Sequence, residues 1–159
     1  MKKAICVVLM LIALLSALCG CSENETYFEI RPFSCKVVMS YGNERSEGIF
    51  VYESGDTMSL ELTDSEYIDG MKVQYCDGEY NFIYDGISVN ISDDFNDIPM
   101  YGMFEAVKLV AESQIEVNNS TENIFKLSKD NREYTYTVDN EKGRILEIKS
   151  ALADIEFGY

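Results

Sequence analysis

The stretch MKVQYCDGEYNFIYDGISVNIS, residues 71–92, contains three short runs in which apolar and polar residues alternate. Such alternation places the apolar side chains on one face of a β-strand. The runs are joined by Asp77-Gly78 and Asp85-Gly86, and glycine accepts the positive φ that a two-residue type I′ hairpin turn needs. The stretch therefore predicts an antiparallel meander whose apolar face carries Met71, Val73, Tyr75, Tyr80, Phe82, Tyr84, Ile87, Val89 and Ile91.

The same alternation continues on both sides of this meander. It is found at residues 33–41, 48–53 and 58–63 before it, and at 115–117, 124–128, 134–139, 144–149 and 154–159 after it. In between, from Asp97 as a cap and Pro99 in the first turn, the apolar period becomes helical, with Met100, Met103, Phe104, Val107 and Ala111 on one face. Strands, one amphipathic helix and strands again, with no βαβ pattern, predict a single α+β domain over residues 27–159 with an antiparallel sheet.

The N-terminus predicts where the protein resides. Lys2 and Lys3 precede an unbroken apolar run at residues 4–18, which is short for a membrane span and typical of a signal peptide. The following Leu18-Cys19-Gly20-Cys21 resembles the bacterial lipobox. The resemblance implies a signal peptide at residues 1–20, a lipidated Cys21, and a short tether to residue 26.

The protein would then be extracytoplasmic and anchored by lipid on Cys21 to the bacterial cell membrane, or to the outer membrane in a cell that has one. An ordinary secreted protein without the anchor is the alternative.

Charge and composition exclude several classes of function. The chain has a net charge of −15, and without residues 1–20 it keeps 11 basic and 28 acidic residues, a net charge of −17. Such a body repels phosphates, so we expect no nucleic-acid partner. The absence of histidine removes the Ser-His-Asp and Cys-His catalytic arrangements and most zinc sites. No nucleophile–base pair or phosphate loop is present, and we predict no enzyme, catalytic residue or cofactor.

Two cysteines remain in the predicted mature domain, Cys35 and Cys76. An even pair in an extracytoplasmic protein is compatible with a disulfide. Two separate buried thiols, each behaving as a small apolar residue, are the alternative.

The acidic run at residues 93–97, DDFND, resembles the start of a calcium loop. It lacks the glycine that such a loop needs at its sixth position, where Ile98 stands. We therefore predict a solvated turn before the helix, where negative charge is favourable, and no metal site.

The order of elements resembles the LolA-like lipoprotein carriers over residues 33–159. The resemblance lies in the MSLELT strand at 58–63, the Gly70-Met71 strand start, the paired Asp-Gly hairpins, the helix after Pro99 and the DNEKGRILEI hairpin at 139–148. It implies a strongly curved sheet, an unclosed or half barrel, crossed by the amphipathic helix, with acyl chains held on the concave face. The chain departs from that family in one respect. Those carriers have a long helix before the first strand, whereas only about a dozen residues separate Cys21 from the first predicted strand here.

The expected function is non-catalytic binding of an apolar moiety, a lipid or an acylated partner, by a monomer. The candidate residues are the large apolar side chains of the meander and the helix: Met58, Leu60, Leu62, Met71, Val73, Phe82, Tyr84, Met103, Phe104 and Val107. Plain core packing explains each of them equally well, so a filled interior and an accessible groove both remain open. If the interior is filled, the alternative function is that of an envelope protein–protein interaction module.

Overall fold

The computed structural model describes residues 26–64, 68–91, 99–118 and 120–159. The predicted signal peptide, the lipidated Cys21, the tether up to residue 25 and the acidic run at 93–97 lie outside these ranges and stay predictions. No helix in the described part of the chain is long and apolar enough to cross a membrane.

The described residues form twelve strands and one helix. The strands are β1 (Thr26–Phe28), β2 (Phe33–Tyr41), β3 (Glu44–Ser54), β4 (Thr57–Asp64), β5 (Lys72–Cys76), β6 (Glu79–Tyr84), β7 (Ile87–Ile91), β8 (Ile115–Val117), β9 (Glu122–Lys129), β10 (Arg132–Asp139), β11 (Arg144–Ser150) and β12 (Asp154–Gly158), and the helix is α1 (Pro99–Glu112).

Ten of the strands form one sheet in the order β7-β6-β5-β4-β3-β2-β12-β11-β10-β9, and every pairing in it is antiparallel. The pairing of β2 with β12 joins the meander before the helix to the meander after it. β1 and β8 form a separate two-stranded sheet. The predicted α+β class with an antiparallel sheet and one helix is confirmed.

The sheet is strongly curved, because strands far apart in it contact the same helix. The rings of Tyr80 on β6 and Phe50 on β3 lie 5.9 and 5.6 Å from the ring of Phe104 on α1. From β10, the Tyr136 hydroxyl donates a hydrogen bond of 3.0 Å to the carbonyl oxygen of Ala106. Strands in a sheet are about 4.8 Å apart, so a flat sheet would separate β6 from β10 by roughly 34 Å. The sheet therefore folds around α1 and leaves β7 and β9 as its two edges.

The two Asp-Gly turns have the predicted geometry. Asp77 and Gly78 have φ values of 50° and 90°, and Asp85 and Gly86 have values of 48° and 76°. Positive φ at both central residues is the mark of a type I′ turn, whose twist matches that of the flanking strands.

The two cysteines are not bridged. Cys35 is a buried free thiol on β2 and Cys76 an exposed free thiol on β5. Strands β3 and β4 lie between them, which places the two cysteines about 14 Å apart across the sheet, whereas a disulfide needs Cα atoms within about 7 Å. The alternative of two buried thiols is also wrong for Cys76, which is exposed beside the Asp77 carboxylate, with its Sγ 3.6 Å from Oδ2.

Candidate functional site

The structure divides the ten predicted binding residues into two groups. Eight are buried members of the single apolar core to which the sheet and α1 both contribute: Met58, Leu60, Leu62, Met71, Val73, Met103, Phe104 and Val107. The other two lie on β6, where Phe82 is half-buried and Tyr84 is 48% exposed. These eight residues thus belong to the filled core, and the apolar face that a ligand can reach lies further along the sheet.

The inner face of the sheet becomes more exposed from β4 towards β7. In one cross-strand row, Leu60 and Val73 are buried while Phe82 is half-buried and Val89 is 51% exposed. In the next row, Leu62 lies beside Met71, where the Leu62 N–H donates to the Met71 carbonyl over 2.9 Å, and both are buried.

The outer side chains of that second row are exposed to solvent. Tyr84 and Ile87 are paired at its outer end, and Ile87 is 66% exposed. The apolar face therefore extends beyond the area that the helix covers.

We call this exposed end of the inner face the rim patch, and it consists of Phe82, Tyr84, Ile87, Val89 and Ile91. The opposite face of the same hairpin is mainly polar, and there the Asn90 side-chain amide donates a hydrogen bond of 3.0 Å to Glu79 Oε2. The hairpin is therefore amphipathic, with its apolar side turned to the concave face.

The helix packs against the inner face at Tyr80, which lies at the opposite end of β6 from Tyr84. The Tyr80 ring lies 4.7 Å from that of Tyr101, and its hydroxyl donates a hydrogen bond of 2.8 Å to Glu105 Oε1. Lys129 on β9 donates to Glu105 Oε2 over 2.7 Å, so one carboxylate on α1 joins both sides of the curved sheet. A second helix residue, Lys108, donates a hydrogen bond of 2.6 Å to the Tyr75 hydroxyl on β5.

These contacts set the electrostatics beside the helix. Burial alone would raise the pKa of Glu105, but the hydrogen bonds from Lys129 and Tyr80, with the positive charges of Lys129 and Lys108, lower it below its ordinary value of 4.5. Burial and the adjacent Glu105 carboxylate raise the pKa of Tyr80. Glu105 is thus an ionised structural partner of Tyr80 and Lys129.

A polar cleft of about 520 Å³ lies on this side of the helix. Its lining residues are Tyr101, Glu105, Lys108, Lys129, Asp130, Arg132 and Tyr134. Its charged lining groups are three cationic and two acidic side chains, of which Glu105 and Lys129 form an ion pair. Within the described residues no group of three or more Cys, Asp or Glu side chains is placed to hold a metal ion.

The alternating pattern predicted the strand that holds Ile87, Val89 and Ile91. These three residues were not among the ten predicted binding residues. Their alternation was visible, yet it has the same form in a covered strand as in an exposed one. The relevant signal was the position of β7, the last strand before the helix, because a strand that ends a meander becomes a sheet edge unless a later strand pairs with it.

Comparisons with known proteins find similarity among solved structures. No protein-family profile and no curated protein sequence matches the chain. Among solved structures, the chain is similar to the LolA superfamily protein NE2245 from Nitrosomonas europaea, with a TM-score of 0.42, 7% sequence identity, and coverage of 83% of this chain and 87% of that chain. At this score the similarity carries no conclusion about ligand or mechanism, and the function of the site rests on its own geometry.

Proposed function

We propose that this protein is a lipid-anchored extracytoplasmic binding protein that holds an apolar moiety, a lipid or an acylated partner, on the rim patch. The observation that carries the proposal is the continuation of the apolar inner face beyond α1, from the buried Leu62 and Met71 to the exposed Tyr84 and Ile87. The lipobox resemblance at Cys21 supports the anchor. The proposed function is non-catalytic.

The rim patch has the chemistry of a surface for hydrocarbon. Ile87 and Val89 are more than half exposed, on the same face as Phe82 and Tyr84, and the side chains between them on β6 and β7 point to the other face. Each methylene group of a ligand that is removed from water there contributes about 0.8 kcal/mol. An acyl chain lying across the two outer rows would meet apolar side chains throughout, and the filled core would lie beside it on the same face of the sheet.

A second candidate is an interaction module whose interior takes no ligand. The filled core favours it, because eight of the ten residues first considered for a groove are closed off from solvent. In that case the rim patch contacts an apolar surface of another envelope protein rather than a free lipid.

The test uses a Cys21→Ser chain, exported by a bacterial host and purified without detergent, with native mass spectrometry and titration with Nile red, an uncharged lipophilic dye. If the proposal holds, the protein retains lipid mass that denaturation releases, or binds the dye in its folded state. Val89→Glu introduces a charge on the rim patch and is expected to weaken dye binding at least tenfold, about 1.4 kcal/mol.

Ser88→Glu is the matched control, since Ser88 is exposed on the opposite face of the same strand. It adds the same charge one residue away and is expected to leave binding unchanged. Both positions are exposed, so both variants should keep the wild-type circular dichroism spectrum and melting temperature. A clean apo mass together with no dye binding would refute the lipid proposal and favour the interaction module, and equal binding by Val89→Glu and wild type would refute the rim patch as the site.

A further inference from the structure

We propose that the outer edge of β7 binds an extended, basic segment of a partner protein by adding it as a further strand of the sheet. The proposal concerns the backbone edge of β7, whereas the proposed function concerns the side chains on its inner face. The two proposals therefore make separate predictions and can fail separately.

The hydrogen-bonding groups that would receive such a strand follow from the register. The pair Tyr84–Ile87 closes the two-residue turn at Asp85 and Gly86 and is therefore a hydrogen-bonded pair. In an antiparallel ladder, hydrogen-bonded pairs alternate with pairs whose backbone N–H and C=O groups point outward. Phe82–Val89 is then a hydrogen-bonded pair, and Ser88 and Asn90 direct their N–H and C=O groups away from β6. In the described part of the chain β7 pairs with β6 alone.

β7 lacks the features that usually protect a sheet edge. Lysine, proline and β-bulges discourage the addition of another strand. β7 has the sequence ISVNI, contains none of these residues, and pairs with β6 in an unbroken register.

The other edge of the same sheet, β9, is different. It carries Lys126, paired with Glu133 over 2.7 Å, and Lys129, paired with Glu105 over 2.7 Å. Because β9 has charged side chains and β7 has none, β7 is the less protected of the two edges among the residues that the structure describes.

The charge of the β6–β7 hairpin itself favours a basic partner. Between Lys72 and Lys108 the sequence contains no lysine or arginine, and the β6–β7 hairpin carries Glu79 and Asp85. Lys72 lies two strands away on the outer face and is opposite Glu61 in the register. A second copy of this chain would bring another strongly acidic body to the edge, so the charge disfavours self-association through β7.

The partner segment is therefore an extended stretch of another protein in which apolar residues alternate with polar ones and lysine or arginine is present. Its main-chain groups would pair with Ser88 and Asn90, which gives affinity, and its alternate side chains would extend the rim patch, which gives specificity.

The test uses the full chain as a bacterial host processes it, reconstituted into phosphatidylcholine nanodiscs. A phage-displayed library of random nine-residue peptides is selected on these discs after depletion on empty ones, and an enriched peptide is synthesised for titration and hydrogen exchange. The expected peptides alternate apolar and polar residues, carry lysine or arginine, bind more weakly as salt is raised, and slow the amide exchange of Ser88 and Asn90.

Ser88→Pro is the decisive variant, because proline removes one outward N–H and leaves the ladder with β6 intact. It is expected to weaken peptide binding at least tenfold, whereas Ser88→Thr, which keeps the N–H, is expected to bind like wild type. A wild-type circular dichroism spectrum and melting temperature of Ser88→Pro in the Cys21→Ser chain would show that the fold is intact.

Several results would overturn the proposal. They are the absence of enriched peptides over empty discs, enrichment of acidic or uncharged peptides, and equal binding by Ser88→Pro and wild type. Concentration-dependent dimerisation of the Cys21→Ser chain that Ser88→Pro abolishes would also overturn it, because the occupant of the edge would then be a second copy.

Discussion

Glu105 has a central position among the polar residues, because its two carboxylate oxygens accept hydrogen bonds from opposite sides of the curved sheet, from Tyr80 and from Lys129. We expect Glu105→Ala to lower the free energy of unfolding by about 1–3 kcal/mol, since it leaves a part-buried hydroxyl and an ammonium group without their acceptor. Urea denaturation of the wild type and the variant at pH 7 measures this difference.

Glu112 provides the control on the same helix. Its carboxylate is exposed and lies 3.9 Å from Lys108 Nζ, so Glu112→Ala should change stability by less than about 0.5 kcal/mol. If both variants lose the same free energy of unfolding, the loss comes from removing a glutamate from the helix and not from breaking the Tyr80–Glu105–Lys129 contact.

The Glu105 contribution should also depend on pH. Its pKa is lowered in the folded protein, so the unfolded state binds the proton more readily, and the stabilisation is present above the ordinary value of 4.5 and is lost as the pH falls through the folded pKa. The difference in stability between wild type and Glu105→Ala should therefore be constant from pH 6 to 8 and should shrink in acid.

At the level of the elements, the turn between β10 and β11 fixes the segment that connects β1 to β2. Gly143 in this turn has a φ of 63°, and its carbonyl accepts a hydrogen bond of 3.0 Å from the Arg31 N–H. A Cβ atom at Gly143 would lie 2.6 Å from the carbonyl oxygen of Glu29. We therefore expect Gly143→Ala to lower the free energy of unfolding by roughly 1–2 kcal/mol, the usual cost of a left-handed backbone conformation at alanine. The clash of the new Cβ atom with the Glu29 carbonyl oxygen should lower it further.

Gly42→Ala separates these two effects. Gly42 also has a left-handed φ of 57°, in the β2–β3 turn, but a Cβ atom there would meet nothing within 4 Å. We expect Gly42→Ala to lose only the free energy that the left-handed backbone conformation costs an alanine, and Gly143→Ala to lose clearly more. Urea denaturation measures both losses. Equal losses would show that the 29–31 segment moves aside at no cost.

For the whole molecule, attachment to the membrane should depend on Cys21. The net charge of −17 predicted for the mature chain opposes contact with an anionic membrane surface, so the lipid is the attachment that we expect. Cys21→Ser should move the protein from the membrane pellet to the soluble fraction after cell fractionation, whereas wild type should remain in the pellet after a high-salt wash.

Cys19→Ser is the matched control, because it changes a neighbouring cysteine of the lipobox to another small residue and keeps Cys21. It should remain with the membrane. Membrane association that is unchanged in Cys21→Ser would refute the lipoprotein interpretation.

The local structure of the chain could be predicted from its residue pattern. Alternating apolar residues predicted the strands, because side chains on a strand point to opposite faces in turn, and Asp77-Gly78 and Asp85-Gly86 predicted turns whose positive φ values are present in the structure. The helical spacing of Met103, Phe104 and Val107 likewise predicted the buried face of α1. These features depend on neighbours within a few residues, and the chain carries that information directly.

Which apolar faces are covered could not be predicted from that pattern, because it depends on how distant elements pack. Leu60 and Val89 have equivalent places in alternating strands, but Leu60 is buried in the core and Val89 is exposed at the rim. The curvature of the sheet, the pairing of β2 with β12 and the length of the helix decide that difference, and these are contacts between residues far apart in the chain. The sequence pattern shows which side chains prefer to leave water, whereas only the packing of distant elements determines which of them do.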